Sequence, residues 1–357
     1  MNVMRKIQLI TCLPNEYHAG AKAPSDAMII ARRLGFEDFI IQKKTVKLIA
    51  SSNICRILWF FKCCWYLFRM PKRAVVFIQY PENYFSERFW FGLISYFRKI
   101  KKIKTITLIH DLNFLRCESG NIAKKSFEEI AKLSDIMIVH NQRMFDYLEQ
   151  NGIESHRMVK LGIFDYLGQY NIHNNKFDSF LCRTIVIAGN LDTNKARYLK
   201  SLYMISGVKW RLYGVNFKED SEICKQNIEY CGSFPPDELM NVLDGGFGLV
   251  WDGDSLDSCS GFYGNYLKYN NPHKLSLYLA VGLPVIIWQG AAEADFVLKE
   301  GVGLAIDSLK SLECVLTNIS ETEYIRMHEN VYKLSERLRT GIFLTTALEQ
   351  ALKCLNN

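Results

Sequence analysis

FGLVWDGDSLDSCSGFYGNYLKYNNPHKLSLYLAVGLPVIIW, residues 247–288, decides how this chain folds. An apolar run at 247–251 reads as a buried strand and passes into a loop rich in Asp, Ser and Gly. The loop leads to Asn271-Pro272-His273-Lys274, then a short apolar helix, then Gly282-Leu283-Pro284 and a second apolar strand at 285–288. A polar loop between a buried strand and a helix start is where open α/β sheets hold ligands. Pro272 suits the first helical turn, since proline has no N–H to leave unsatisfied there. Lys274 falls in that turn, where free backbone N–H groups and the helix dipole already favour an anion. A lysine beside a helix N-terminus is good chemistry for a diphosphate. The competing reading is an ordinary α/β loop with a solvated lysine, and spacing alone does not choose between them.

Outward from this segment the chain alternates. In the first half, strands are expected at 7–13, 39–42, 74–80, 105–110, 136–140 and 158–161. Helices are expected at 25–34, 54–70, 86–99, 122–133 and 143–151. Several strands are continuous apolar runs, as happens when helices cover both faces of a parallel sheet. GQYNIHNNKFD, 168–178, is polar and aperiodic and reads as a linker. Alternation then restarts with a strand at 183–188, a helix near 195–201, and strands at 210–214, near 228–231 and at 248–251. Pro235-Pro236-Asp237 opens a helix to about 243. Ser320 with Glu323 three residues on is a capping-box pattern at the head of a long helix, 320–339, and 344–355 is a second amphipathic helix. The fold class is therefore α/β with doubly wound parallel sheets. A length of 357 residues predicts about two domains.

Hydrophobic residues make up 49% and charged residues 23%, a globular balance. The net charge of +7 suits anionic partners without choosing among them. No zinc-finger spacing or basic low-complexity tail argues for nucleic acid. The 11 cysteines are odd in number and scattered, with no CxxC pair, which points to reduced thiols and a cytoplasmic protein. The N-terminal apolar run is too short for a signal peptide and reads as a first strand. ICRILWFFKCCWYLFRM, 54–70, is aromatic-rich, but with Arg56, Lys62 and Arg69 inside it is a poor spanning helix. A buried or subunit-interface helix and an interfacial helix on an anionic membrane both remain open, the latter placing the protein peripherally at the inner face of the cytoplasmic membrane.

Ala19-Gly20-Ala21-Lys22-Ala23 with Asp26, Leu108-Ile109-His110-Asp111-Leu112 with Arg116, Val139-His140-Asn141 and Ile163-Phe164-Asp165-Tyr166-Leu167 recur along the chain as recognisable segments. Ala188-Gly189-Asn190-Leu191, Leu212-Tyr213-Gly214-Val215-Asn216, the 247–288 segment and Leu338-Arg339-Thr340-Gly341 complete them. Together they resemble bacterial galactofuranosyltransferases that build surface polysaccharides and the glucosyltransferases that extend sugars on serine-rich-repeat adhesins. The resemblance covers nearly the whole chain. It implies the two-domain nucleotide-sugar glycosyltransferase fold (GT-B), two Rossmann-like domains facing a cleft. The acceptor-binding domain would be 1–170 and the nucleotide-sugar domain 180–340, with 341–357 a helix crossing back to the first domain. It also implies a homo-oligomer.

Transfer from a nucleotide sugar leaves negative charge on the departing diphosphate, which fixed cations, N–H donors or a metal must stabilise. Lys274 is the first candidate and Lys195, after Gly189-Asn190, the second; Arg197 is an alternative in the same turn. Gly189 allows close backbone approach. Tyr213 is a candidate to border the base, and Asn271 and Asp252 to bond ribose or sugar hydroxyls. Gly261, Tyr263, Gly264 and Tyr266 lie in a loop that either closes over the donor or is rigid. Asp252-Gly253-Asp254 is the one candidate metal motif, and no metal or other cofactor is expected, because the resembled enzymes usually work without one. Gly20 and Lys22 are candidates for a phosphate- or acceptor-facing loop in the first domain. For the base, Asp111 is favoured over His110, His140 and Asp165, all at strand ends. Glu293 follows the 285–288 strand near where many such transferases bind the donor, without their usual paired-glutamate spacing.

The resulting expectation is an inverting, metal-independent transferase moving a hexosyl group from a UDP-sugar to a sugar hydroxyl of a glycan, lipid-linked glycan or glycoprotein. The PHKLSLYL and IFDYL segments favour UDP-galactofuranose and surface-polysaccharide synthesis (O-antigen or capsule). The alternatives are a UDP-glucose enzyme extending GlcNAc on a serine-rich-repeat adhesin, and a non-catalytic nucleotide-sugar-binding partner subunit.

Overall fold

Apolar runs punctuated by Gly, Pro and Asn turns become parallel strands, and the segments between them become helices packed on both sheet faces. The computed structural model describes residues 4–10, 21–41, 53–81, 87–116, 120–170, 181–218 and 227–356; the side chains of 53–59, 87–89 and 181 lie outside it. The first half runs β1 (Lys6–Ile10), α1 (Lys22–Arg33), β2 (Glu37–Ile40), α2 (Asn53–Arg69), β3 (Val75–Tyr80), α3 (Glu87–Lys101), β4 (Lys104–Ile109), α4 (Asn113–Arg116), α5 (Gly120–Leu133), β5 (Ile136–Val139), α6 (Gln142–Gln150) and β6 (Met158–Lys160). The second half runs β7 (Thr184–Asn190), β8 (Lys209–Val215), β9 (Ile228–Gly232), α7 (Pro236–Val242), β10 (Phe247–Val250), α8 (Gly261–Tyr266), α9 (His273–Ala280), β11 (Val285–Trp288), α10 (Ala294–Glu300), β12 (Gly303–Ile306), α11 (Leu312–Asn318), α12 (Glu321–Thr340) and α13 (Ile342–Cys354).

The strands form two six-stranded parallel sheets, ordered β2-β1-β3-β4-β5-β6 and β12-β11-β10-β7-β8-β9. These are two Rossmann-like domains. In the second sheet the order reverses between β7 and β10, so a crevice opens outside their carboxyl ends. Gly248 on β10 is dictated by packing: a Cβ there would collide with the ring of Tyr278 on α9. That tyrosine's hydroxyl in turn accepts from the Ala188 N–H at 2.7 Å and fixes the end of β7.

The helix expected near 195–201 is instead a 3₁₀ helix at Arg197–Met204, and Lys195 lies in the turn before it. The reason is local: Asn190 Oδ1 accepts from the Asp192 N–H and Asp192 Oδ1 from the Asn194 N–H, both at 3.0 Å, and such Asx turns compete with an α-helical start. Strand β12 and helices α4, α8, α10 and α11 were not expected; α8 occupies residues read from sequence as loop. Of the linker, only 168–170 are described, as irregular chain; 171–178, like 11–13 of the first strand, lie outside the described residues.

The capping box forms at α12: Ser320 Oγ accepts from the Glu323 N–H and Glu323 Oε2 from the Ser320 N–H. Gly341, at φ +88°, turns the chain from α12 into α13, and a Cβ there would press on Ile30 of α1 at 2.7 Å. Helix α13 then packs against β5, β6 and α1 of the first domain. Asp165 caps it, accepting from the Phe343 and Leu344 N–H groups at 3.1 and 2.7 Å. Cys63, Cys182 and Cys259 are buried thiols, Cys314 and Cys354 exposed ones.

Candidate functional site

A cavity of about 240 Å³ opens at the crevice between β7 and β10. Its floor is the end of β7, from Ile187 to Leu191, where Gly189 has φ +140° and nothing stands over its Cα. That backbone conformation is available essentially to glycine alone, so the chain presents bare main chain to the cavity. Asp252, at the end of β10, and Pro272 and Lys274, at the head of α9, form one wall. Lys274 Nζ donates to the Trp251 carbonyl at 2.9 Å and lies 3.7 Å from Asp252 Oδ2. Lys195 lines the cavity with its ammonium 5.9 Å from the Tyr263 ring centroid, and Arg116 reaches in from the first domain. Three cations and a helix N-terminus therefore surround one pocket, an arrangement suited to a polyanion.

The structure brings together Gly189, Asn190, Lys195, Asp252 and Lys274 from the sequence candidates. It also brings Tyr263 and Tyr266, from the loop expected near the donor, to the same cavity, and places the remaining candidates elsewhere. Tyr213 is buried on β8 beside Arg211, Cys231, Phe234 and Asp244, away from the cavity. Asn271 is an interdomain tie: its N–H donates to His140 Nδ1 at 2.9 Å, its amide to the His140 and Gly162 carbonyls, and its Oδ1 accepts from Asn141 at 2.6 Å. Lys22 also bridges the domains, bonding the Leu167 carbonyl at 2.7 Å, Asp26 at 3.0 Å and Asp237 at 3.1 Å. Gly20 lies outside the described residues. Arg197 pairs with Asp254 at 3.8 Å. Among the described residues no three His, Cys, Asp or Glu side chains cluster as a metal site.

Asp111 does not itself line the cavity, but both its partners do. Arg116 pairs with it at 2.8 Å, and Tyr266 bonds it and accepts from the Leu112 N–H at 2.7 Å. Burial raises the Asp111 pKa against the opposing pull of Arg116. Tyr266 is buried in the core of the first domain, so α8 is anchored across the cleft. His110 is neutral, its pKa pushed down to about 3 by burial and by His140 and His273; it bonds Gln79 at 2.6 Å and stacks on Phe164. Glu293 is buried at the head of α10, bonds Asn141, and leaves Oε2 without a partner; burial pushes its pKa up to about 8.

Arg116, Tyr198 and Asn270 were not read as site residues from sequence. Arg116 carried a signal, lying five residues beyond Asp111 after a strand end, but only the folded arrangement of the domains shows that it reaches the second domain's pocket.

Two segments match known domains: residues 7–163 match the N-terminal domain, and residues 185–351 the C-terminal domain, of the family described as glucosyltransferase 3-like. Among curated relatives, the beta-1,6-galactofuranosyltransferase WbbI of Escherichia coli (strain K12) is 32% identical over 337 residues, 94% of each chain. Glucosyltransferase 3 of Streptococcus gordonii is 26% identical over 255 residues, 71% of this chain and 72% of that one. Among solved structures, Anabaena HepE in complex with UDP-glucose superposes with a TM-score of 0.58 at 11% identity, covering 99% of this chain and 100% of that one. The apo lipopolysaccharide outer core galactosyltransferase WaaB gives 0.60 at 11%, covering 97% and 99%. The structural likenesses speak to the fold, and the sequence matches to descent: the chain belongs to the glucosyltransferase 3-like family of glycosyltransferases.

Proposed function

We propose that the chain transfers a hexosyl group from a UDP-sugar, its diphosphate seated at the Lys274 pocket. The observation that carries this reading is the convergence of Lys274, Lys195 and Arg116 on the bare backbone of Gly189 at the sheet's switch point. In transfer, the bond from the anomeric carbon to the diphosphate oxygen breaks and a bond to the acceptor oxygen forms. The electron pair stays on the diphosphate, where fixed cations and the α9 N–H groups offset it without a metal. Lys274 lies beside Asp252 at the pocket wall, and a phosphate would compete for the same ammonium. The acceptor hydroxyl gives its proton to Asp111, approached from the opposite side in an inverting reaction. Arg116 is held by Asp111 and faces the pocket, so turning towards the phosphates frees the carboxylate. A carboxyl whose pKa is raised by burial is a better base than an exposed one.

The relative at 32% identity, a beta-1,6-galactofuranosyltransferase, favours galactofuranose as the sugar; the acceptor we propose is a sugar hydroxyl of a surface polysaccharide or lipid-linked repeat unit. The family matches favour a second reading with UDP-glucose. Calorimetric titration with UDP, UDP-glucose, UDP-galactose and UDP-galactofuranose, with and without EDTA, tests both. The expected result is UDP binding that EDTA does not alter, with UDP-galactofuranose preferred. Preference for UDP-glucose selects the second reading. No binding to any uridine nucleotide overturns the assignment.

A further inference from the structure

The basic excess of this chain is concentrated. Residues 53–104 carry eleven Lys or Arg against two Glu, an excess of nine, while the whole chain has an excess of seven. Everything outside that segment therefore sums to minus two. The fold lays α2 and α3 against each other on one face of the first sheet. Cys63 and Leu67 of α2, with Trp90, Phe91 and Ile94 of α3, enter the core beneath.

The outer face is apolar as well. Phe61, Trp65 and Phe68, at positions i, i+4 and i+7 of α2, share one side of the helix and are 63%, 52% and 72% exposed. Tyr96 and Ile100 of α3 are also exposed. The two helix ends are tied side by side. The Lys101 ammonium donates to the Phe68 carbonyl and, at 2.6 Å, to that of Met70, and it lies 5.2 Å from the Phe68 ring centroid. The Arg69 guanidinium covers Trp65 at 4.7 Å. Lys72, Arg73, Lys99, Lys102 and Lys104 are exposed at or just beyond these ends.

We propose that this face docks on an anionic phospholipid bilayer. Phe61, Trp65 and Phe68 enter the boundary between headgroups and acyl chains, and the surrounding lysines and arginines meet the lipid phosphates. Aromatic side chains on one helix side, rimmed by cations, are what an interfacial helix needs. Spanning is a different matter: no described helix is long and apolar enough to cross a membrane, and α2 has 17 residues with three cations. A second copy of the chain is the poorer occupant, because a two-fold contact sets one excess of positive charge against the same excess. None of these residues lines the cavity, so docking leaves the pocket open.

Flotation of the full chain with vesicles tests the proposal. Vesicles of equal parts phosphatidylcholine and phosphatidylglycerol should carry the protein up, and phosphatidylcholine alone should not. The triple variant F61S/W65S/F68S and, separately, K99E/K102E should each cut the bound fraction about tenfold or more, with unchanged melting temperature. A wild-type chain that does not float overturns the idea, as does flotation unaffected by both variants. A dimer by light scattering that the triple variant makes monomeric, with no flotation, also overturns it and gives the face to self-association.

Discussion

Lys274 has two contacts at the pocket wall, a main-chain carbonyl and the Asp252 carboxylate, and both hold its ammonium at the head of α9. An ammonium so held is preorganised, which is where electrostatic catalysis draws its strength. Lys274→Ala should lower turnover about 100-fold or more, roughly the loss of one strong electrostatic donor. Steady-state kinetics check this, and near-normal turnover would sink the role. In the same assay Asp111→Asn should lower turnover and leave UDP affinity intact; a parallel fall in affinity would assign Asp111 to holding Arg116. Chemistry at this scale was partly legible. Gly189 and Asn190 at the end of β7, with Lys195 in the turn beyond it and Lys274 at a helix head, were readable as a pocket because strand ends are where such sheets open. Tyr213 was not, because alternation along β8 says that side chains face two ways but not which way leads to ligand. Asn271 was read as a hydroxyl binder; its polarity serves His140, Asn141 and Gly162 of the other domain instead.

Elements carry a clearer record than single residues. Apolar runs marked eleven of the twelve described strands, and Ser320 with Glu323 marked the start of α12. The 3₁₀ helix after Lys195 was hidden because its periodicity resembles that of an α-helix, while Asx turns at Asn190 and Asp192 decide the geometry. Asp165 shows the limit in another way. It follows a strand, as a base would, yet both its oxygens accept from the first N–H groups of a helix nearly 180 residues further along the chain. Removing that cap should cost about 1–2 kcal/mol. Urea unfolding of Asp165→Ala measures it, and an unchanged midpoint would mean that α13 is held by its apolar face alone.

At the scale of the whole molecule the domains are fastened by buried polar groups, and these make stability depend on pH. Glu293, with its pKa pushed from 4.5 to about 8, keeps its proton in the fold where the unfolded chain has lost it. Stability is therefore present at low pH and falls as pH rises from 4.5 through 8. His110, His140 and His273, with pKa values of about 3, 4 and 4, act in the opposite sense, losing stability as pH falls below 6.5. Between 6.5 and 8 the carboxyl groups act alone, Asp165 at about 7 with Glu293. The melting temperature should decline across that window, and less steeply in Glu293→Gln; equal slopes would remove Glu293 from the account.

Tyr266 belongs by sequence to the second sheet's domain and by packing to the core of the first, while α13 returns from the far end of the chain to cover the first sheet. The two halves thus share parts. A hybrid made by joining the front of one relative to the back of another inherits a socket cut for a particular tyrosine and a groove cut for a particular helix. Such a hybrid should therefore fold poorly unless the tyrosine and the helix travel with the socket and groove that receive them.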